Sequence, residues 1–202
     1  MSLSASSLFT VKRIKQAGLL KMKDALQQAV ELLQAGEVIA YPTEAVYGLG
    51  CDPFNETAVY KVFHVKQRPL EKGVILVAAT VEQIEFYVQL KGTPWEEKVL
   101  NTWPGPYTWV LPLKHAMPEW ITGGRDTVAI RVSAHPTVQA LCRAYGGPIV
   151  STSANRSGQP PAKSCAEIQK VFADKVFCVD GELGQLDKPT QIWDAVSERQ
   201  LR

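Results

Sequence analysis

The sequence predicts one α/β domain, a twisted mixed β-sheet flanked by helices. Three observations predict it. Short apolar runs closed by Pro or Gly recur along the chain, and segments with helical apolar spacing lie between them. No internal repeat or linker divides the 202 residues, a length that fits the usual scale of roughly 100–200 residues per domain. The hydrophobic share of 46% supplies a core, and 21% charged residues argues against disorder.

The elements follow in order. Residues 1–21 lack an apolar period and read as a flexible N-terminal extension, with Met22 as a candidate start and residues 22–202 as the domain. Leu26, Ala29, Val30 and Leu33 then follow a helical period that Gly36 closes. Val38–Tyr41 reads as a buried strand, ended by Pro42. A helix is expected from about Asn55 to Lys66, because Pro69 forbids its continuation and pushes Arg68 toward an extended conformation. Val74–Ala78 is a second buried strand. Thr80-x-x-Gln83 and Thr93-Pro-x-Glu96 have the form of capping boxes and predict two short helices. The turn Trp103–Pro106 leads into a strand, Tyr107–Leu113, and Val128–Val132 forms another. Pro136 opens a helix with Val138, Leu141, Cys142 and Tyr145 inward. Pro148–Ser151, Val176–Val179 and Ile192–Val196 complete the strands, and Ser164-x-x-Glu167 caps the last helix.

Composition excludes several function classes. No apolar run reaches the roughly 18–20 residues of a membrane span. Cys51, Cys142, Cys165 and Cys178 include no CxxC pair, and the three histidines have no metal-ligand spacing, so free thiols in a reducing cytoplasm are expected. There is no P-loop, no complete dinucleotide fingerprint after Gly48-Leu-Gly50 and no GxSxG elbow. The net charge is only +2, yet residues 61–72 carry +3 and residues 125–166 carry +4. Two basic blocks apart in sequence can converge on one anion-binding groove, or remain two solvated faces.

Three segments stand out. Tyr41–Gly50 runs from a strand into a polar loop, where Thr43 offers a hydroxyl and two glycines permit close backbone approach, although a plain turn would use the same residues. In Lys66-Gln67-Arg68, extended alternation would aim both cations one way, and a guanidinium fork beside an ammonium suits phosphate as well as it suits a solvated helix end. In Ser151–Asn155, the same alternation would present two hydroxyls and an amide at a strand end. Such a set can cradle phosphate without a P-loop or simply form a polar turn.

Together these segments resemble the YrdC-like family. Its pattern is matched in order by Pro42-Thr43-Glu44, Lys66-x-Arg68, Trp103–Thr108, Val128–Arg131 and Ser151-Thr-Ser153-Ala-Asn155, over approximately Met22 to Val196. The resemblance implies a YrdC-like fold with a basic concave groove, of the short form without a further domain. It implies synthesis of threonylcarbamoyl-AMP and pyrophosphate from L-threonine, bicarbonate and ATP, with magnesium brought by ATP. The product would feed downstream proteins that modify the adenosine beside the anticodon in tRNAs reading ANN codons. Carried across, Lys66 and Arg68 would be the catalytic residues and bind the triphosphate, with Thr108, Ser151, Ser153 and Asn155 positioning phosphates and carbamate. Thr43 and Arg131 would face threonine. Double-stranded RNA or tRNA binding in the groove is the competing class, although no RRM, KH or dsRBD pattern is present.

Overall fold

The structure, a computed structural model, describes residues 23–202. The expectation for residues 1–21 therefore falls outside the described residues. Helix α1 (23–34) leads into strand β1 (Ile39–Pro42), and β1 turns back antiparallel into β2 (Tyr47–Gly50). The sequence reading has a polar loop at β2. Gly48 and Gly50 instead sit in the sheet, and Gly50 is required by crowding: a Cβ there would lie 2.7 Å from both the Tyr41 ring and the Val150 carbonyl. The close backbone approach expected for a ligand is made within the sheet.

Helix α2 (Glu56–Lys66) is capped by Asn55, whose side chain accepts from the Ala58 N–H at 3.1 Å. Strand β3 (Ile75–Ala78) precedes the short helix α3 (Glu96–Leu100), strand β4 (Tyr107–Pro112) and helix α4 (Glu119–Thr122). Strand β5 (Thr127–Val132), helix α5 (Pro136–Tyr145) and strand β6 (Ile149–Ser153) follow, then helix α6 (Cys165–Phe172) and strands β7 (Phe177–Cys178) and β8 (Gln191–Asp194). Ser164 caps α6 as expected, accepting from the Glu167 N–H, while Glu167 Oε2 accepts from the N–H one residue before the cap, Lys163. The other two boxes keep only that second contact: Gln83 Oε1 accepts from Ala79 N–H and Glu96 Oε2 from Gly92 N–H, and Thr80 makes no side-chain cap to its 3₁₀ turn (Val81–Gln83). Thr93 Oγ1 donates back to the Leu90 carbonyl, so α3 begins only at Glu96.

The eight strands form one mixed sheet in the order β7-β1-β2-β6-β3-β5-β4-β8. Strand alternation divides its side chains between two cores. One face carries Ala40, Leu49, Leu76, Ile130 and Val150 and is covered by apolar residues of α2, α3, α4 and α6. The other carries Ile39, Tyr41, Val77 and Ile149 and is covered by α1 and α5. That second cover is incomplete. Beyond Ile149 and Val77, the row of Ser151, Ile75, Ala129 and Val110 on adjacent strands is roofed by no helix among the described residues and lines a cavity.

The cysteine expectation needs correction. Cys165 and Cys178 are joined in a disulfide, with Cα atoms 5.7 Å apart. They are 13 residues apart in sequence, and the return of the chain through α6 to β7 brings them together, which local spacing could not reveal. Cys51 and Cys142 are free and buried, and burial pushes the Cys142 thiol up to about 12. Among the described residues no helix is long and apolar enough to cross a membrane.

Candidate active site

The unroofed half of the sheet forms a cavity of about 600 Å³. Its floor is the row just described, a mix of hydroxyl, alanine and branched apolar side chains, extended by Thr127 of β5 and Ser153 of β6. Arg68, Lys72, Arg125, Arg131 and Arg202 line its walls, and among the described residues no Asp or Glu does. Two cations from each basic block of the sequence, Arg68 with Lys72 and Arg125 with Arg131, thus reach this cavity, while Lys61, Lys66, Arg143, Arg156 and Lys163 do not line it.

Arg131 leaves β5 with 5% of its surface exposed. Its guanidinium lies 3.4 Å from Glu44 Oε2 and donates to Thr190 Oγ1 at 3.0 Å. Glu44 in turn accepts from Ser133 Oγ at 2.6 Å, and Ser133 Oγ accepts from the His135 backbone N–H at 3.0 Å. A buried charge must be paired or neutralised, and this chain of contacts pairs it. The Nε of Arg131 remains buried and without a partner. His135 Nε2 lies 3.1 Å from the Glu182 carbonyl and must donate to it, which leaves Nδ1 as a buried lone pair. Burial first of all pulls the His135 pKa below the ordinary histidine range. The segment bearing Glu182 and Thr190 is pinned along the cavity rim by Gly184 N–H to Thr43 O and Leu186 N–H to Glu44 O. Gly184 has no room for a side chain, since a Cβ would meet the Glu44 carbonyl at 2.6 Å.

Arg202 closes the cavity from another side. Its guanidinium donates twice to the Thr190 carbonyl, at 3.0 and 3.3 Å. Burial lowers its pKa most, and the charges of Arg131 and Arg68 add to the effect, so three guanidiniums share one region.

The structure treats the sequence-derived site residues unequally. Thr43, Arg68, Arg131, Ser151 and Ser153 line the cavity. Thr43 Oγ1 donates to the Val46 carbonyl at 2.7 Å, which shapes the turn between β1 and β2. Thr108 is wholly buried on β4 with its hydroxyl unpartnered, and Val110, two residues on, takes the wall position. Lys66 and Arg68 do not point together. Lys66 is the last residue of α2 and Gln67 is left-handed at φ 52°, so the backbone reverses where extended alternation was expected. Arg68 turns to the cavity, with one guanidinium nitrogen on the Gly73 carbonyl at 3.2 Å and its Nε buried without a partner. Lys66 is 2% exposed, inside the turn that carries Ser153 and Asn155. Burial, and then the Arg68 charge, lower its pKa to about 8.

Sequence reasoning assigned no role to Glu44, Ser133, Thr190 or Arg202. Glu44 stood within the quoted Pro-Thr-Glu segment, so its signal was present and unused. Nothing in the sequence around Arg202 marks it, because its place depends on the backbone pairing of Leu201 and Arg202 with Ile192 of β8.

A cavity on an α/β sheet with several cations in its lining is suited to an anionic ligand. A family model described as "Telomere recombination", the Sua5/YciO/YrdC family, matches residues 31–202, and the chain belongs to this family. It is 50% identical over 180 residues to the threonylcarbamoyl-AMP synthase of Hydrogenovibrio crunogenus, covering 88% of this chain and 96% of that protein. The same name, identity and coverage apply to a relative from Xanthomonas euvesicatoria pv. vesicatoria. Among solved structures, P. abyssi Sua5 complexed with L-threonine matches with a TM-score of 0.78 and 35% identity over 88% of this chain. This chain spans about half (53%) of that longer one. E. coli YciO matches with a TM-score of 0.73 and 28% identity, covering 87% of this chain and 89% of its own.

Proposed function

We infer that the chain is a threonylcarbamoyl-AMP synthase. The observation that carries the inference is 50% identity, over nearly the whole length of both chains, to proteins of that name. In the reaction, the amine of L-threonine adds to bicarbonate with loss of water, giving a carbamate. A carbamate oxygen then attacks the α-phosphorus of ATP, and the α–β bridging bond breaks to release pyrophosphate. The carbamate is a weak nucleophile, so alignment is the main contribution, and well-oriented partners can gain about 7–11 kcal/mol.

The cavity supplies what that step needs. Arg68 would meet the phosphates with the guanidinium donors left free, with the Ser151 hydroxyl as a donor from the floor and Ser153, whose proton is on Asn155 Oδ1, as an acceptor beside it. Thr43 and Arg131 would face threonine, the guanidinium answering its carboxylate. Thr108 and Asn155 would act from behind the wall, Asn155 through Ser153, whose hydroxyl it holds at 2.6 Å. Guanidiniums fixed before the reaction offset the charge that develops on the phosphates without reorganising. Magnesium would enter with ATP, carried by its phosphates. The product would pass to proteins that transfer the threonylcarbamoyl group to tRNA, in the cytoplasm. A double-stranded RNA or tRNA backbone would find the same cations, with a salt-sensitive affinity.

The test supplies α- and γ-labelled ATP separately, omitting threonine and bicarbonate in turn. Pyrophosphate release that requires both co-substrates is expected. Threonine-independent release of orthophosphate, or tight salt-sensitive RNA binding without turnover, would overturn the reading.

A further inference from the structure

We propose that Lys66 is a positioning residue, whose ammonium holds the Ser153–Gln159 turn in shape and leaves the phosphate contact to Arg68. The proposal rests on the synthase reading for the identity of the substrate, and on geometry alone for the role of the lysine.

An ammonium has three donors and no acceptor. Lys66 Nζ spends all three inside the turn, on the Ser153 carbonyl, the Asn155 carbonyl at 3.0 Å and Asn155 Oδ1 at 3.3 Å. Its backbone carbonyl takes a fourth contact, from the Ser157 N–H at 2.9 Å. No donor is left for a ligand. The side chain is also buried and forms no part of the cavity wall.

Asn155 is saturated in the same way. Its Oδ1 accepts from Lys66 and from Ser153 Oγ, and its Nδ2 donates to the Arg156 carbonyl at 2.9 Å and the Gln159 carbonyl at 2.8 Å. Lys66 and Asn155 therefore form one knot behind the cavity, and Arg68 and Ser153 are its cavity-facing neighbours. In Lys-x-Arg the lysine supports and the arginine contacts; in Ser-x-Asn the asparagine supports, and Ser153, its one proton on Asn155 Oδ1, faces the cavity as an acceptor. The left-handed Gln67 makes the division possible by sending residues 66 and 68 in different directions.

The experiment compares Lys66→Met with Arg68→Met in the full chain. Amide hydrogen exchange across residues 153–159, measured without substrate, should speed up about tenfold or more in Lys66→Met and stay unchanged in Arg68→Met. Turnover should fall in both, by about 10²-fold where displacement of the contacting groups is the cause. The salt dependence of ATP binding should persist in Lys66→Met and weaken in Arg68→Met, because only the latter removes a charge from the phosphates. If Lys66→Met fails to fold, Asn155→Ala opens the same knot while leaving the Lys66 ammonium on two main-chain carbonyls, and it should speed the same amides while keeping the salt dependence. Unchanged exchange in the knot variants, or a salt dependence lost in Lys66→Met as in Arg68→Met, would place the ammonium on the phosphate and overturn the proposal. Exchange needs no substrate, so an inactive wild-type enzyme would sink the synthase reading without deciding this one.

Discussion

The α1/α5 face of the sheet is built twice over from the same strands, and its two halves do opposite things. On the covered half, Ile39, Tyr41, Val77 and Ile149 meet Leu33 of α1 and Leu141 of α5 in a closed apolar core. One register step along β3 and β6, Ile75 and Ser151 face an open cavity, and Arg131 of β5 stands at the seam. Backbone pairing is continuous across both halves. The strands differ in part: Ile75 and Val110 of the open half are as apolar as Val77 and Ile149 of the covered one, but Ser151, Ala129 and the guanidiniums of the walls stand beside them, and among the described residues no helix packs over that half. A binding site can therefore be made by withholding a hydrophobic layer without interrupting the sheet.

The seam gives the largest expected effect. Glu44→Ala should leave the buried Arg131 charge without its carboxylate and cost about 3–5 kcal/mol of stability, measured by denaturant unfolding. A loss below about 1 kcal/mol, the scale of surface pairs, would mean that the pair is not truly desolvated. On the covered half, Leu141→Ala should cost about 2–5 kcal/mol through lost burial and a residual void. It should leave the KM for ATP unchanged, since Leu141 does not reach the cavity. The open half should respond the other way round. Arg68→Ala is expected to lose about 2.7–4 kcal/mol of transition-state stabilisation, the scale of one preorganised donor, with little change in Tm. Were Arg68→Ala to unfold early while keeping its activity, the division between the halves would collapse.

The smallest effect concerns pH. Folding lowers the His135 pKa by burial, so the unfolded chain holds the extra proton in the window below the ordinary value of about 6.5. Stability should then fall as pH drops through that window, because protonation puts a charged Nδ1–H where no acceptor waits. His135→Gln keeps a donor for the Glu182 carbonyl and cannot titrate. Comparing its unfolding free energy with that of the native chain between about pH 7 and 5 isolates the contribution. An unchanged slope would show that His135 titrates alike in the folded and unfolded states.

Much of this was legible in the amino-acid sequence. Asn55, Pro136 and Ser164 act through their own backbone neighbours, and they begin α2, α5 and α6 where local chemistry says they should. Apolar runs located the buried strands within two residues of their observed ends, although β2 was missed because Tyr47-Gly-Leu-Gly50 carries the residues of a turn. The motif order led to the family, and five of its eight site residues line one cavity. What the sequence left open depends on partners distant along the chain. Cys165 found Cys178, Glu44 found Arg131 and Ser133, and Arg202 found Thr190, each through a return of the chain that no local rule encodes. The clearest case is Lys66. Residue type and spacing established that a cation stands there, but whether it faces a phosphate or a carbonyl depends on one left-handed residue and on a loop 87 residues further along. Donor and acceptor inventories belong to the sequence, and which of them are already spent inside the fold belongs to the tertiary structure.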